Sequence, residues 1–162
     1  MTARWYALCS KPHKERILWR QLRDRGFEVF YPRLYLPTGN SRGLQFRSFF
    51  PGYLFVKVDF GSVGLSTFQW MPYTEGLVCI DGIPAYVPNR LIHAIQRHLD
   101  RINAVSKKLS DATQEDEFGF DGFFSGENNI FNTDMTDGER VRALLRALNS
   151  MKVSPELSGS RA

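Results

Sequence analysis

Residues 49–60, FFPGYLFVKVDF, are the stretch of sequence that decides the fold. In a strand, alternate side chains point to opposite faces. One face of this stretch is wholly apolar, which predicts core, and comprises Leu54, Val56, Val58 and Phe60. The other face carries Tyr53 and Phe55 before it turns polar at Lys57. Half-exposed aromatic side chains of this kind suggest a docking surface. The alternative is that a helix or the chain's own tail covers them.

The composition is that of a globular chain, with 43% hydrophobic and 23% charged side chains among 162 residues. No apolar run is long enough to span a bilayer, and the first residues lack the apolar segment of a signal peptide. We therefore expect a cytoplasmic protein that does not interact with membranes. Cys9 and Cys79 lie far apart in predicted strands, which predicts two buried thiols and no disulfide or zinc site.

The charge is distributed unevenly along the chain. Residues 1–110 hold 16 Lys and Arg against 7 Asp and Glu, a net of +9, whereas residues 111–162 hold 5 against 10, a net of −5. A basic body indicates a polyanionic partner. An acidic tail on such a body can also fold back and compete for the same surface.

A basic amphipathic helix is predicted after the first strand. Ser10 and Pro12 resemble a helix entrance, with a capping hydroxyl and a proline in the first turn, and Gly26 marks the end. Three arginines at spacing i, i+4 and i+7 share one face, and basic residues cluster at the helix start. The candidate nucleic-acid-binding residues are Lys11, His13, Lys14, Arg16, Arg20 and Arg23. Such a row is also typical of a helix face that is merely solvated.

The order of the remaining elements predicts the fold class. Residues 28–36 form a predicted strand interrupted at Pro32, and a hairpin leads from it into the central strand. A short helix at about 62–71, a hairpin around Asp81-Gly82 and a strongly periodic helix at 88–102 follow. This order predicts an α+β fold with a mostly antiparallel sheet flanked by helices.

The sequence contains no arrangement typical of an enzyme. His13, His93 and His98 are scattered, and the last two are predicted on a helix surface. No Ser/His/Asp triad or metal-ligand spacing appears. We therefore expect a protein that is not an enzyme and binds no cofactor or metal.

Two families share the central motif, and the first is the RNA recognition motif. Its signature strand is K/R-G-F/Y-G/A-F-V-x-F/Y, with outward aromatic side chains that stack on bases. Residues 52–58 resemble it, with Tyr53 and Phe55 as the stacking pair. Pro51, Leu54 and Val58 depart from the signature. An RNA-binding module is therefore the alternative function.

The second family accounts for more of the chain. Motifs that resemble the N-terminal (NGN) domain of the NusG family occur in the right order across residues 4–103. They are Trp5-Tyr6, FPGYLFV at 50–56, TEGLV at 74–78 and Val87-Pro88. The RfaH-type antiterminators are the most similar members. The resemblance implies an NGN-like sandwich over residues 1–103.

The resemblance also implies a function and a set of contacts. The chain would be a monomeric transcription elongation or antitermination factor that binds RNA polymerase and suppresses pausing and termination by bridging the cleft. The residues that correspond to the contact with the β′ clamp helices are Tyr6, Phe50, Tyr53 and Phe55. Ser66 and Thr67 correspond to the contact with the β gate loop. The basic helix start would face nontemplate DNA.

The C-terminal third departs from the family pattern. Residues 104–135 are predicted to be an acidic flexible linker, and residues 136–162 a C-terminal helix or a degenerate remnant of the family's KOW barrel. Thr136 and Glu139 fit a capping box, and apolar residues recur at helical spacing up to Met151. From its apolar stripe and the opposite charges of the two parts, we expect the helix at 136–151 to cover Tyr53 and Phe55.

Overall fold

The computed structural model describes residues 2–37, 44–109, 131 and 134–153. The strands are β1 Arg4–Ser10, β2 Glu28–Phe30, β3 Arg33–Pro37, β4 Leu44–Ser48, β5 Tyr53–Val58, β6 Thr74–Leu77, β7 Cys79–Ile80, β8 Ile83–Pro84 and β9 Tyr86–Val87. The helices are α1 Glu15–Asp24, α2 Ser66–Gln69, α3 Asn89–Leu109 and α4 Asp137–Val153. The main sheet is antiparallel, with the order β2-β5-β1-β6, and β9 also pairs with β1. The predicted α+β fold is confirmed.

The main sheet separates two hydrophobic cores. The first core lies on the side of α1 and α2, and its buried members include Leu8, Leu18, Leu22, Leu54, Val56, Val58 and Phe68. The second core lies on the side of α3 and α4, and its buried members include Ala7, Phe50, Phe55, Leu91, Ile95, Leu144 and Leu148. The apolar face predicted for β5 is therefore core, as expected. Its opposite face is core as well.

A tight turn sets the start of β5. Pro51 and Gly52 occupy its two central positions, Gly52 has φ +86°, and the Tyr53 N–H donates to the Phe50 carbonyl at 3.0 Å. A positive φ at the third position is typical of a type II turn and favours glycine there. The Gly52 N–H donates to Oε1 of Glu15 at 2.8 Å. The first turn of α1 is thereby tied to the beginning of β5.

The hairpin of β3 and β4 lies outside the main sheet. It is held by α3, because the Asn103 side chain bonds the β3 backbone twice. Its Oδ1 accepts from the Tyr35 N–H at 2.9 Å, and its Nδ2 donates to the Arg33 carbonyl at 3.0 Å. Leu34, which lies between these two residues, is buried in the second core. The buried Leu34 side chain and this pair of hydrogen bonds therefore help to fix the hairpin.

The start of α1 differs from the prediction. Ser10 ends β1 rather than capping a helix, and its hydroxyl donates to the Lys11 carbonyl at 2.8 Å. His13 adopts φ +60°, which is incompatible with a right-handed helix, and α1 begins only at Glu15. The prediction for the other end is confirmed, because Gly26 follows the helix with φ +85°.

The structure differs from three further local predictions. Helix α2 is confined to Ser66–Gln69. Helix α3 continues past Ile102 to Leu109, into the range predicted as linker, and Asn103 in this extension binds the hairpin. Residues 110–130, 132 and 133 of that range, and residues 154–162 of the predicted C-terminal segment, lie outside the described residues. The predicted burial of both thiols is wrong, because Cys79 is exposed on a short hairpin strand and Cys9 is half-buried. The helix predicted at 136–151 is confirmed as α4.

Candidate functional site

The face of β5 that carries Tyr53 and Phe55 is covered in this structure. Phe55 and Phe50 have no exposed surface, and Tyr53 is half-buried. The Phe55 ring stacks on Phe30 at 5.9 Å and meets Phe50 edge to face at 6.1 Å. The expectation of two half-exposed aromatics is therefore wrong for Phe55, because α3 and α4 complete a core on this side of the sheet.

Helix α4 is fastened to this core through a buried arginine. Arg140 is 5% exposed, and its guanidinium lies 4.4 Å from the centre of the Phe49 ring. Its Nη1 donates to the Phe49 carbonyl at 3.3 Å and to the Asp137 carboxylate at 3.1 Å. Burial is the main cause that lowers the pKa of Arg140, and Asp137 opposes it. Phe49 in turn packs against Phe50, with their ring centres 4.7 Å apart. Arg140 is therefore connected through Phe49 and Phe50 to the aromatic face of β5.

The predicted capping box begins α4. The Glu139 carboxylate accepts from the Thr136 N–H at 2.7 Å, and the Glu139 N–H donates to the Thr136 hydroxyl at 3.3 Å. The hydrogen bond from the Thr136 N–H, followed by one that the Thr136 hydroxyl donates to the same carboxylate at 2.8 Å, lowers the pKa of Glu139. Asp137 also lies 3.8 Å from Arg47 of β4. The start of α4 is therefore fixed by its own capping box and by the ion pair of Asp137 with Arg47.

His98 is a second polar group in this region. It was predicted on a helix surface, but it is 9% exposed and packs against Phe131 at 4.6 Å and Phe49 at 5.9 Å. Burial, followed by the positive charges of Arg140 and Arg101, lowers its pKa to about 4. The expectation is wrong because Phe131 reaches α3 from a distant part of the sequence. His93, predicted on the same surface, is exposed.

The side chain of Tyr53 has a polar neighbour, the thiol of Cys9. Cys9 lies opposite Tyr53 in the pairing of β1 with β5. Burial raises the pKa of Tyr53, and the neighbouring Cys9 adds to the shift. Burial also raises the pKa of the Cys9 thiol, followed by the charge of Glu75. Both groups are therefore held in their neutral forms.

Tyr6 lies on the other face of the sheet. It pairs with Val56, packs edge to face with Phe60 at 4.7 Å, and belongs to the core on the side of α1. The structure thus brings together Phe50, Tyr53 and Phe55 but not Tyr6. The β1 residues on the same face as Phe55 are Trp5, Ala7 and Cys9. Tyr6 instead lines an open depression with Arg4 and Phe60.

The candidate nucleic-acid residues form one exposed region. Lys11, His13 and Lys14 lie in the segment between β1 and α1, and the Lys11 N–H donates to the Tyr73 carbonyl at 2.9 Å. Arg16, Arg20 and Arg23 are exposed along α1. The predicted gate-loop residues lie on α2, where Ser66 is exposed and Thr67 half-buried. Trp70 at the end of α2 is 80% exposed.

Two functional candidates were missed from the sequence, Arg140 and Arg33. Arg33 lies within 6.0 Å of four ring centres, those of Trp19, Phe46, Tyr31 and Tyr35. The only sequence signal was its place in the run YPRLY, where tyrosines two positions away share its face of a strand.

Sites of other kinds find no support in the part of the chain that the structure describes. Across residues 2–37, 44–109, 131 and 134–153, no group of three or more His, Cys, Asp and Glu side chains could hold a metal ion. None of the described helices is long and apolar enough to cross a membrane.

Comparison with known proteins identifies the family. No curated protein matches the chain. One similar solved structure, described as "Domain interaction in Thermotoga maritima NusG", shares 20% sequence identity with a TM-score of 0.42 and covers 75% of this chain and 69% of its own. A family model described as "Transcription termination factor nusG" matches residues 3–96, more than half of the chain. The chain therefore belongs to the NusG family of transcription factors.

Proposed function

We propose that this protein is an RfaH-type transcription elongation or antitermination factor that binds RNA polymerase through the face of β5. The observation that carries the proposal is the cluster of aromatic side chains Phe50, Tyr53 and Phe55 on this side of the sheet, which α4 helps to cover. Aromatic side chains that pack into a partner's apolar site dominate the binding energy of many interfaces. The β′ clamp helices are the partner that the family resemblance implies.

The mechanism is one of population shift rather than bond chemistry. By bridging the β′ clamp helices and, through Ser66 and Thr67 of α2, the β gate loop, the domain would stabilise the closed clamp. A ligand that prefers one of two states shifts the equilibrium toward that state. Open or distorted states that lead to pausing and termination would become less populated. Nontemplate DNA would run past the basic residues at the start of α1.

We further propose that α4 masks the polymerase surface in the free protein. Ala143, Leu144, Ala147 and Leu148 are its buried side chains, and Arg140 fastens it to Phe49. Binding would then require the release of α4, so that the free energy of its docking reduces the affinity for polymerase. In the division predicted from the sequence, residues 1–103 form the polymerase-binding unit, residues 104–135 the linker, of which residues 104–109 belong to α3, and residues 136–162 the mask. The factor acts as a monomer.

The test measures retention by purified RNA polymerase in a pull-down. Leu144→Asp places a charge in the core beneath α4 and should increase retention, whereas Arg146→Asp, at an exposed position of the same helix, should not. Adding Tyr53→Ala to Leu144→Asp should reduce the affinity by about tenfold or more. Tyr86→Ala, at a more exposed tyrosine of β9, is the matched control for loss of an aromatic ring.

Circular dichroism must show that each variant keeps its fold. Unchanged retention in both Leu144→Asp and its combination with Tyr53→Ala would reject the β5 face as the polymerase site. Tight binding of single-stranded RNA by the Leu144→Asp variant, without binding of polymerase, would instead favour the alternative in which Tyr53 and Phe55 stack on bases.

A further inference from the structure

The side of the main sheet that faces α1 is not covered along its whole length. Leu8 and Leu54 are buried in the core on that side, whereas Tyr6, two residues earlier than Leu8 in β1, is half-buried. The uncovered end forms an open depression of about 360 Å³. It is lined by Thr2, Arg4, Tyr6, Val58, Asp59 and Phe60, and we call it the β1 depression.

Three aromatic rings lie at the β1 depression. Tyr6 and Phe60 are both half-buried and pack edge to face, with ring centres 4.7 Å apart. Phe60 also packs against Phe68 of α2 at 6.2 Å, which ties the pair to the core. Tyr86 of β9 lies directly opposite Tyr6 in the strand pairing, so its side chain extends from the same face, and it is 41% exposed. Exposed aromatic clusters of this kind mark interaction sites.

The cation of the depression has no acidic partner. The Arg4 guanidinium lies 5.3 Å from the centre of the Tyr86 ring, within the range of cation–π attraction, and none of the ion pairs within the described residues includes it. The Asp59 carboxylate is used locally, because it accepts from the Gly61 N–H at 2.8 Å and from the Ser62 hydroxyl at 3.4 Å. An anionic group on an external occupant would therefore complement Arg4.

The shape and charge of the depression indicate the class of its occupant. Small-molecule sites bury most of the ligand surface, whereas an open depression covers an occupant on one side only. An aromatic side chain of a partner protein fits this shape, because its own protein covers the other side. A carboxylate next to that side chain would pair with the Arg4 guanidinium through two parallel hydrogen bonds. A nucleic acid strand fits less well, since its backbone is bound by several cations and Asp59 lies beside the single arginine.

We propose that the β1 depression binds a segment of a partner protein in which an aromatic residue is followed by an acidic one. The aromatic side chain would rest on the Tyr6 and Phe60 rings, and the acidic side chain would pair with Arg4. The depression lies on the α1 side of the sheet, whereas Phe50 and Phe55 belong to the core on the α3 and α4 side. The partner would therefore bind whether α4 is docked or released, at a protein-binding surface separate from the face of β5.

The first experiment adds short peptides to the isotope-labelled full chain and follows its backbone amide signals by NMR, which detects weak binding. The probe is acetyl-Ser-Phe-Glu-Ser-amide, which has no terminal charges. At about 1 mM it should shift the amides of β1 and of residues 58–60 and 86. Peptides with Ala in place of Phe, or Gln in place of Glu, should cause shifts several-fold smaller. Equal shifts by all three peptides would overturn the proposal.

Variants of the depression separate its charge from its rings. Arg4→Gln should remove the preference for the Glu peptide over the Gln peptide, whereas Arg97→Gln, at an exposed position of α3, should retain it. Tyr86→Ala should reduce the shifts caused by the Glu peptide several-fold. Tyr73→Ala, at a tyrosine that is 38% exposed, is the matched control and should not. A preference retained in Arg4→Gln would contradict the pairing on which the proposal depends and overturn it.

Two other occupants are tested directly. The chain itself contains an aromatic residue followed by an acidic one, Phe120-Asp121, outside the described residues. The double variant Phe120→Ala/Asp121→Asn should bind the peptide as the wild type does. Stronger binding in this variant would show that the chain's own segment competes for the depression, and would overturn the proposal of a partner. A single-stranded DNA oligonucleotide that shifts the same amides more than the peptide does at equal concentration would overturn it as well.

The same variants distinguish this site from the polymerase site. Arg4→Gln and Tyr86→Ala, each in the Leu144→Asp background and with its fold verified by circular dichroism, should leave polymerase retention in the pull-down unchanged. Loss of peptide binding with polymerase retention intact supports the β1 depression as a separate site, and loss of both would overturn it. Peptide binding by a protein that does not retain polymerase would reject the proposed function alone.

Discussion

At the scale of single residues, His98 links pH to stability. Its pKa in the folded protein is about 4, against an ordinary value of 6.5, so the unfolded chain binds more protons between these values. The free energy of unfolding should therefore be fully retained above about pH 6.5 and fall as the pH drops toward 4. The loss attributable to His98 is at most about 3 kcal/mol. Urea denaturation at a series of pH values measures it.

Two leucine substitutions on α3 isolate this effect from the titration of carboxylates. His98→Leu removes the titrating group from contact with Phe49 and Phe131, and should flatten the pH dependence. His93→Leu, at an exposed position of the same helix, should leave it as in the wild type. A wild-type pH dependence in His98→Leu would show that the buried imidazole does not titrate in this way.

These two histidines also show what a single residue's sequence context reveals. Helical periodicity places both on α3, but it does not disclose that Phe131 returns to cover His98. Tyr6 and Tyr53 were similarly grouped because the family resemblance implies that both contact the same partner. Their faces depend on the pairing register of β1 with β5, which sets Tyr6 opposite Val56 and Cys9 opposite Tyr53.

At the scale of elements, the β3–β4 hairpin depends on α3. The Asn103 side chain acts in place of a strand neighbour, with hydrogen bonds to the Tyr35 N–H and the Arg33 carbonyl. Asn103→Ala would leave this donor and acceptor unpaired in a partly buried place, which costs about 1–3 kcal/mol. We expect the Tyr35 amide to exchange with solvent at least about tenfold faster, as measured by NMR hydrogen exchange.

The matched control for this substitution is Asn149→Ala on the exposed side of α4, which should not alter exchange at Tyr35. Unaltered exchange in Asn103→Ala would mean that Leu34 and the strand pairing alone fix the hairpin.

Elements whose pattern is local were predictable, and those that depend on distant partners were not. The alternation in residues 53–58 and the periodicity of 89–102 appear in the structure as β5 and α3. The extension of α3 past Ile102 brings Asn103 against β3, and the contact of Arg33 with Trp19 depends on α1 meeting the hairpin. No single stretch of sequence contains either interaction. The basic stripe on α1 was visible in the sequence, but the approach of Arg33 from β3 to the Trp19 ring of α1 was not.

At the scale of the whole molecule, one sheet separates the core on the side of α1 from the core beneath α4. The order of strands and helices was sufficient to predict this α+β sandwich, since alternating elements joined by hairpins have few compact arrangements. The charge distribution indicated that the two parts attract each other. The fastening of α4 at Phe49 follows from tertiary packing, because Arg140 alone resembles any basic residue of a helix.

The final prediction concerns the order in which the molecule opens. Helix α4 has 17 residues, and most of the stability of a helix in a protein comes from tertiary packing, so its four buried apolar side chains and Arg140 supply most of its stability. Native-state hydrogen exchange in low urea should therefore show α4 opening at a lower free energy than β1 and β5, which lie at the centre of the sheet. Leu144→Ala should lower the opening free energy of α4 by about 2–4 kcal/mol, whereas Arg146→Ala should change it little. Exchange of α4 only through the global transition that exposes β5 would contradict a separable mask, and polymerase binding would then require another route to Tyr53.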